Sequence, residues 1–326
     1  MDESRRSHAV GLHPLAQRVL ARYPFEVREV RHLATHSNVL FRVVTGNGEQ
    51  YVLRVGTPHA NSRSNIELEV EWLDALRSET TLEVVRAIRS RGGSLIVDEY
   101  DDRLEKERAC VLFSWVPGEA MGDGSGPFAY RMLGAMSASL QAHGARWTPP
   151  TSARLRIWDE VFYYKEEDPI VLHTAEYSHL FDLARLRIIE KAIRRSQDVI
   201  VDSYSHGVPQ IVHGDLHEWN VHLAGSRMHA FDFENVMTAL PAQDAAISLY
   251  SSRTSDIKDD IRSAFRKGFE IISEWPIEDE SQLDGFHAAR QIMLMNYAAR
   301  TLSFEESRAY LDQVMPWLEG YVGRYG

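Results

Sequence analysis

The sequence predicts an α+β fold in which a small antiparallel β-rich N-terminal lobe precedes a larger, mainly α-helical C-terminal lobe. Three observations carry this. Residues 39–55 hold two alternating apolar runs, VLFRVVT and QYVLRV, around an Asn-Gly turn, the strongest short-range hairpin signal. Residues 94–116 hold two more β-type runs, SLIVDEY and ACVLFSWV, the second closing on Pro-Gly at 117–118. Beyond the Gly-rich stretch MGDGSGP (121–127), apolar residues recur at helical rather than alternating spacing.

The individual elements follow in order. GLHPLAQRVLARY (11–23) has helical periodicity. The 39–55 hairpin comes next, and NIELEVEWLDALRS (65–78) then carries an apolar stripe with acidic residues between its members, the pattern of an amphipathic helix. The segments 129–144, 180–204 and 256 to the end read as helices. Turn residues cluster at 117–127, so the expected division is a lobe over 1–117 and a second over 118–326. There is no internal repeat and no low-complexity tract.

A chain of 326 residues with 44% hydrophobic and 25% charged residues can bury a large core and has none of the composition of disorder. The single cysteine, Cys110, excludes an internal disulfide and reads as a core residue. The first ten residues, MDESRRSHAV, lack a signal-peptide apolar core, and the longest apolar runs fall short of a membrane span; a cytoplasmic protein with no membrane partner is expected. The net charge of −11 argues against nucleic acid as a partner. It suits a cationic small molecule, although an acidic surface also serves solubility alone.

Chemistry concentrates in IVHGDLHEWNV (211–221) and FDFE (231–234). Phosphoryl transfer needs a carboxylate near the attacking hydroxyl, ligands for Mg²⁺, and positive groups on the phosphates. Asp215 and Asn220 repeat the aspartate-to-asparagine spacing of the kinase catalytic loop, and Asp232 stands where that fold places its metal-binding aspartate. The motif H-G-D-x-H-x-x-N, followed by hydrophobic-D-F-E, resembles the aminoglycoside phosphotransferase and choline kinase-like superfamily. His213, Gly214, Asp215, His217, Asn220, Asp232, Phe233 and Glu234 all fall in register. ALPAQDAAISL (239–249) is similar to a later family segment and marks Asp244 as a structural aspartate. The resemblance implies a bilobal protein-kinase-like fold, ATP and Mg²⁺ as cofactors, and a small-molecule hydroxyl as acceptor. It implies Asp215 as catalytic base, His213 as the residue orienting the catalytic loop, and Asn220 and Asp232 as metal ligands. Glu234 either supports the metal from behind or caps the next turn; both readings stay open.

The N-terminal half extends the resemblance. LATHSNVLFRV (33–43) resembles the family's phosphate loop without its glycines, so that Thr35, Ser37 and Asn38 would supply the polar groups. Arg54 stands where the strand lysine that grips phosphate is expected, keeping the charge but not the shape; a plain surface residue is its alternative. Glu69 would be its helix partner, with Glu67 and Glu71 as substitutes. Ser114, Trp115 and Val116 resemble the hinge where adenine binds. The spacing of His213, His217 and His222 would suit zinc only on a helix, which the strand-like flanks oppose. The acidic run at 166–168 is a solvated face or a site for a cationic substrate. Two other functions fit the same motifs: a stress-response Ser/Thr protein kinase of this superfamily, and a nucleotide-binding pseudokinase regulator. Nothing in the sequence identifies the acceptor or the oligomeric state.

Overall fold

The computed structural model describes residues 2–35, 37–57, 62–151, 155–165 and 168–325, with side chains from residue 11 onward. Helix α1 (Asp2–Leu20) is followed by strands β1 (Val27–Thr35), β2 (Val39–Thr45) and β3 (Gln50–Val55), helix α2 (Arg63–Glu79), and strands β4 (Val97–Asp101) and β5 (Lys106–Ser114). The strands form one antiparallel sheet in the order β1-β2-β3-β5-β4. The expected hairpin forms around Gly48, whose φ of 88° is a conformation that glycine adopts without strain. Leu12, Leu15, Ala16 and Val19 of α1 pack with Phe41, Leu53, Val55, Cys110 and Leu112 of the sheet. Cys110 is fully buried, and burial pushes its thiol up to about 12, which fits the core role.

β5 begins three residues before the apolar run at 109–116. Lys106, Glu107 and Arg108 pair with Asp101, Tyr100 and Glu99 of β4, and backbone pairing needs no apolar side chains. Helix α2 starts at Ser62, whose side chain accepts the Asn65 N–H, satisfying one of the unpaired donors of the first turn.

The chain continues through a two-residue strand β6 (Glu119–Ala120), helices α3 (Pro127–Gly144) and α4 (Leu183–His206), strands β7 (Gln210–Val212), β8 (Val221–Ala224), β9 (Arg227–Ala230) and β10 (Met237–Ala239), and helices α5 (Pro241–Leu249), α6 (Lys258–Phe269), α7 (Glu280–Thr301) and α8 (Phe304–Tyr325). Among the described residues no helix is long and apolar enough to cross a membrane. Helices α3 and α6 approach closely because each offers a glycine to the other. A Cβ on Gly134 would lie 2.0 Å from the Phe265 carbonyl oxygen, and one on Gly268 would lie 1.9 Å from that of Arg131.

The chain divides into two compact units. The first comprises Met1–Glu119, Pro149–Arg154 and His222–Asn235; the second comprises Ala120–Thr148, Leu155–Val221 and Val236–Gly326. A single cut at 117/118 therefore does not describe the division. Residues 222–235 return to the first unit because Val84 bridges Ala230, with the Val85 N–H donating to the Ala230 carbonyl at 2.9 Å and the Ala230 N–H to that of Glu83 at 3.0 Å. A pairing across that sequence separation leaves no local trace.

Candidate functional site

In the first unit, strand alternation sends Leu53 and Val55 into the core and Val52 and Arg54 to the other face of the sheet. There they line a cavity of about 430 Å³ together with Ser37, Asn38, Glu69, Phe113, Ser114, Trp115, Val116, Asp232 and Glu234. Arg54 is 6% exposed, so it is not a surface strand residue. Its Nη1 donates to Glu69 Oε1 at 3.0 Å and its Nη2 to Glu69 Oε2. Glu234 lies at 3.8 Å, and the guanidinium sits 5.0 Å from the Phe113 ring centroid. Burial works against the charge on Arg54, but Glu69, Glu234 and Asp232 outweigh it and hold its pKa above the ordinary value. Glu67 turns instead to Arg63, 2.9 Å away along the same helix face.

Glu234, left open by sequence, has a defined contact. Its Oε1 accepts from Ser37 Oγ at 3.1 Å and its Oε2 from Asn38 Nδ2 at 2.8 Å. The Asn38 side-chain oxygen in turn accepts the Thr57 N–H at 3.2 Å. A loop without glycine is thus held by side chains, although His36 within it lies outside the described residues. Asp232 has φ 64°, a left-handed conformation that aspartate tolerates better than bulkier residues. At the expected adenine hinge, the Ser114 N–H donates to Arg86 O at 2.8 Å and the Trp115 N–H to Gln50 O at 3.2 Å. Both of those donors are therefore already engaged.

The cavity fits a nucleotide with a divalent cation. Its apolar walls suit a flat base, Arg54 supplies a cation, and the three carboxylates around Arg54 leave a net negative charge that a divalent cation would offset.

In the second unit, strand β7 pairs with β10 and leads into the loop 213–220. Two residues of α5 hold that loop from below. Asp244 Oδ1 accepts the Gly214 N–H at 2.9 Å, and Ser248 Oγ donates to Leu216 O at 2.6 Å. Gly214 itself has φ 77°. Gln141 Nε2 donates to the other Asp244 oxygen at 3.0 Å. Asp244 is fully buried; burial pushes its carboxyl up to about 6, against the hydrogen bonds from Gln141 and Gly214, and nearby Asp215 adds to the rise. The expected structural aspartate thus anchors the loop backbone.

His213 is fully buried, and its Nδ1 accepts the Asp215 N–H at 3.3 Å, an orienting contact. The loop is not helical at His213 and His217. Asn220 Nδ2 donates to Asp215 O at 2.9 Å and to Asp215 Oδ2 at 3.3 Å. With its nitrogen so committed, the Asn220 side-chain oxygen is the atom suited to a hard cation. His217 Nε2 stands 3.7 Å from Asp215 Oδ2.

The other Asp215 oxygen is ion-paired with Arg290 Nη2. Burial would raise the Asp215 pKa, but Arg290 and His217 overcome it and hold the carboxyl well below the usual range. Tyr163 is also close, its phenol pushed by burial to about 12 against the field of Arg290. Neither Arg290 nor Tyr163 is expected from sequence. The one available signal is a lone arginine in the apolar stretch HAARQIMLM (287–295) of α7, where a charge needs a partner. Of the acidic run at 166–168, Glu166 and Glu167 lie outside the described residues, and Asp168 is paired with Arg300.

The model of the phosphotransferase enzyme family matches residues 27–286. An uncharacterized protein of Synechocystis sp., sll1119, is 30% identical over 240 residues, 72% of this chain. The match spans 63% of that relative's length. Among solved structures, a microcompartment-associated aminopropanol kinase superposes with a TM-score of 0.76 at 21% identity, covering 95% of each chain. An amicoumacin kinase in complex with AMP-PNP and Ca²⁺ has a TM-score of 0.75 at 19% identity, covering 94% of this chain and 92% of its own. A spectinomycin phosphotransferase in complex with ADP and spectinomycin has a TM-score of 0.65 at 13% identity, covering 94% and 97%. These likenesses establish the protein-kinase-like α+β fold.

Proposed function

The chain belongs to the phosphotransferase enzyme family, and from that premise we propose that it transfers the γ-phosphate of ATP to a hydroxyl of a small molecule, with Asp215 as the catalytic base. The observation that carries this is the state of Asp215. It is a partly buried carboxylate held ionised by Arg290, with its second oxygen facing Asn220 and His217, on a loop anchored by Asp244.

Asp215 accepts a hydrogen bond from the acceptor hydroxyl and so aims the oxygen at phosphorus. As the O–P bond forms and the bond to ADP breaks, the hydroxyl proton passes to the carboxylate. A weakly basic carboxylate suffices, because in a loose phosphoryl-transfer transition state the proton moves late and positioning dominates. Arg54 grips phosphate oxygens while Glu69 keeps its guanidinium in place. Ser37 and Asn38 supply the loop over the phosphates, with Thr35 at its start. The adenine edge meets backbone at 114–116; since the Ser114 and Trp115 N–H groups are engaged, Val116 is the donor of choice. Asn220 and Asp232 each offer an oxygen suited to Mg²⁺, which when bound offsets charge on the phosphate oxygens. The similar amicoumacin kinase is in complex with AMP-PNP and Ca²⁺ and the similar spectinomycin phosphotransferase with ADP, which supports the use of a nucleotide and a divalent cation.

The test is an ATP-consumption screen across amino alcohols, aminoglycosides, sugars and hydroxy amino acids, run on the wild type and Asp215→Asn. Turnover should fall by about a thousandfold in the variant, with nucleotide affinity nearly unchanged. Retained turnover would sink the mechanism. ATP binding with no transfer to any acceptor would favour a pseudokinase.

A further inference from the structure

The segment 222–235, which returns to the first unit, brings a further polar side chain to the nucleotide cavity. His222, partly buried, lines it together with Phe231 and Val85. The three belong to one wall. Val85 is bonded to Ala230, the chain neighbour of Phe231, and the imidazole meets the Phe231 ring in a T-shaped contact with centroids 4.8 Å apart. Leu33, Leu40, Val52 and Phe113 supply further apolar lining.

Most polar side chains around this cavity are committed to partners. Ser37 and Asn38 donate to Glu234, Arg54 donates to Glu69, and Ser114 Oγ accepts the Arg86 N–H at 3.1 Å. His222 differs. Among the described residues neither of its ring nitrogens makes a hydrogen bond, and of the two only Nδ1 is sealed from solvent. An N–H stranded at a sealed position costs more than a lone pair there. The neutral tautomer that strands none carries its proton on Nε2, the nitrogen on the open edge of the ring.

Resting on the phosphotransferase reading, we propose that His222 is a specificity-determining residue for the nucleotide, its Nε2–H donating to an acceptor atom of the nucleoside: a ring nitrogen of the base or a ribose oxygen. Arg54, Ser37 and Asn38 serve the phosphates, so the apolar wall that holds His222 is left to the nucleoside. A leucine in this wall would bury more apolar area. What the imidazole adds is one directional donor. Such a donor discriminates where apolar area does not, because a ligand that lacks the matching atom leaves the N–H unpaired.

Calorimetric titration without any acceptor tests this, using ATP and analogues that each lack one nucleoside acceptor: 1-deaza-, 3-deaza- and 7-deaza-ATP, and 2′-deoxy- and 3′-deoxy-ATP. The Kd for ATP should rise by about 3- to 10-fold in His222→Leu and partly recover in His222→Gln, whose side-chain amide restores a donor. One analogue should bind the wild type more weakly by a similar factor, yet bind the wild type and His222→Leu alike. Which analogue does so tells base from ribose. ATP affinity that is unchanged or tighter in His222→Leu overturns the proposal, as does a loss in that variant that no analogue cancels; a side chain that only fills the wall couples to no single ligand atom. The two readings fail separately. Binding coupled to His222 without transfer to any acceptor sinks the phosphotransferase reading alone, whereas transfer without that coupling sinks only the role of His222.

Discussion

The two units solve opposite electrostatic problems. In the first, a buried cation, Arg54, is enclosed by carboxylates from Glu69, Glu234 and Asp232. In the second, a partly buried carboxylate, Asp215, is held by the buried cation Arg290. The first arrangement carries excess negative charge, which under the proposed function a divalent cation would offset. The second is neutral at the pair, so the carboxylate stays ionised while remaining a weak base. Buried charges tolerate neither loss of a partner nor free rearrangement, which makes each pair a positioning device as much as a source of stability.

Breaking the second pair should have the larger effect. Arg290→Met leaves Asp215 desolvated without its cation, and stability near pH 7 should fall by about 3–5 kcal/mol. The loss should shrink on acidification as Asp215 takes up a proton. In the wild type the folded pKa of Asp215 is depressed, so its contribution is present above the ordinary carboxylate pKa and lost only as pH falls through the depressed value. The acid limb of kcat/KM should therefore move to higher pH in the variant. Denaturant titrations and a pH–rate profile read the two effects, and Arg290→Lys should retain both in part. An unmoved acid limb would show that Asp215 is not the ionising group.

Asp244 provides a signed pH test of the loop anchor. Its folded pKa is raised to about 6, so the unfolded chain releases this proton first as pH rises from about 4. The contribution of Asp244 to stability, full below the unfolded pKa, is lost as pH rises through about 6, a change of about 2–3 kcal/mol. Wild-type stability relative to Asp244→Asn should decline across that window in urea titrations. His287, buried with its pKa lowered to about 3, has the opposite slope, but it is common to both proteins and cancels in the difference. A difference independent of pH would mean that Asp244 is ionised in the fold throughout.

The smallest effect belongs to the first unit. Glu234→Gln weakens the hydrogen bonds from Ser37 and Asn38 while preserving shape, and KM for ATP should rise by about 3- to 10-fold with kcat little changed. An equal fall in kcat would place Glu234 closer to the chemistry than the loop-holding role requires.

Much of this was legible in the chain. The hairpin at 39–55 is announced by Asn-Gly and alternation, and the H-G-D-x-H-x-x-N loop by spacing alone, since its contacts run over a few residues: Asn220 to Asp215, and Asp215 to His213. The Arg54–Glu69 pair was expected from the resemblance to the family, because Glu69 stands four residues before Leu73 as in its E-x-x-x-L-x-x-L pattern, and the structure chooses it over Glu67 and Glu71. The roles of Glu234 and Arg290 were not readable in this way. Glu234 meets Ser37 across 197 positions and Arg290 meets Asp215 across 75, and a charged residue carries no mark of a partner so far along the chain.

By itself, then, the sequence determined the α+β class, the order of the β-rich and helical halves, and the identity of the loop that bears Asp215, because each rests on local periodicity, turn chemistry and short spacing. Only the tertiary structure decided that residues 222–235 belong with the first unit and that Arg290 neutralises Asp215. Those facts depend on which side chains packing brings together and deprives of water, and burial is a property of the folded whole.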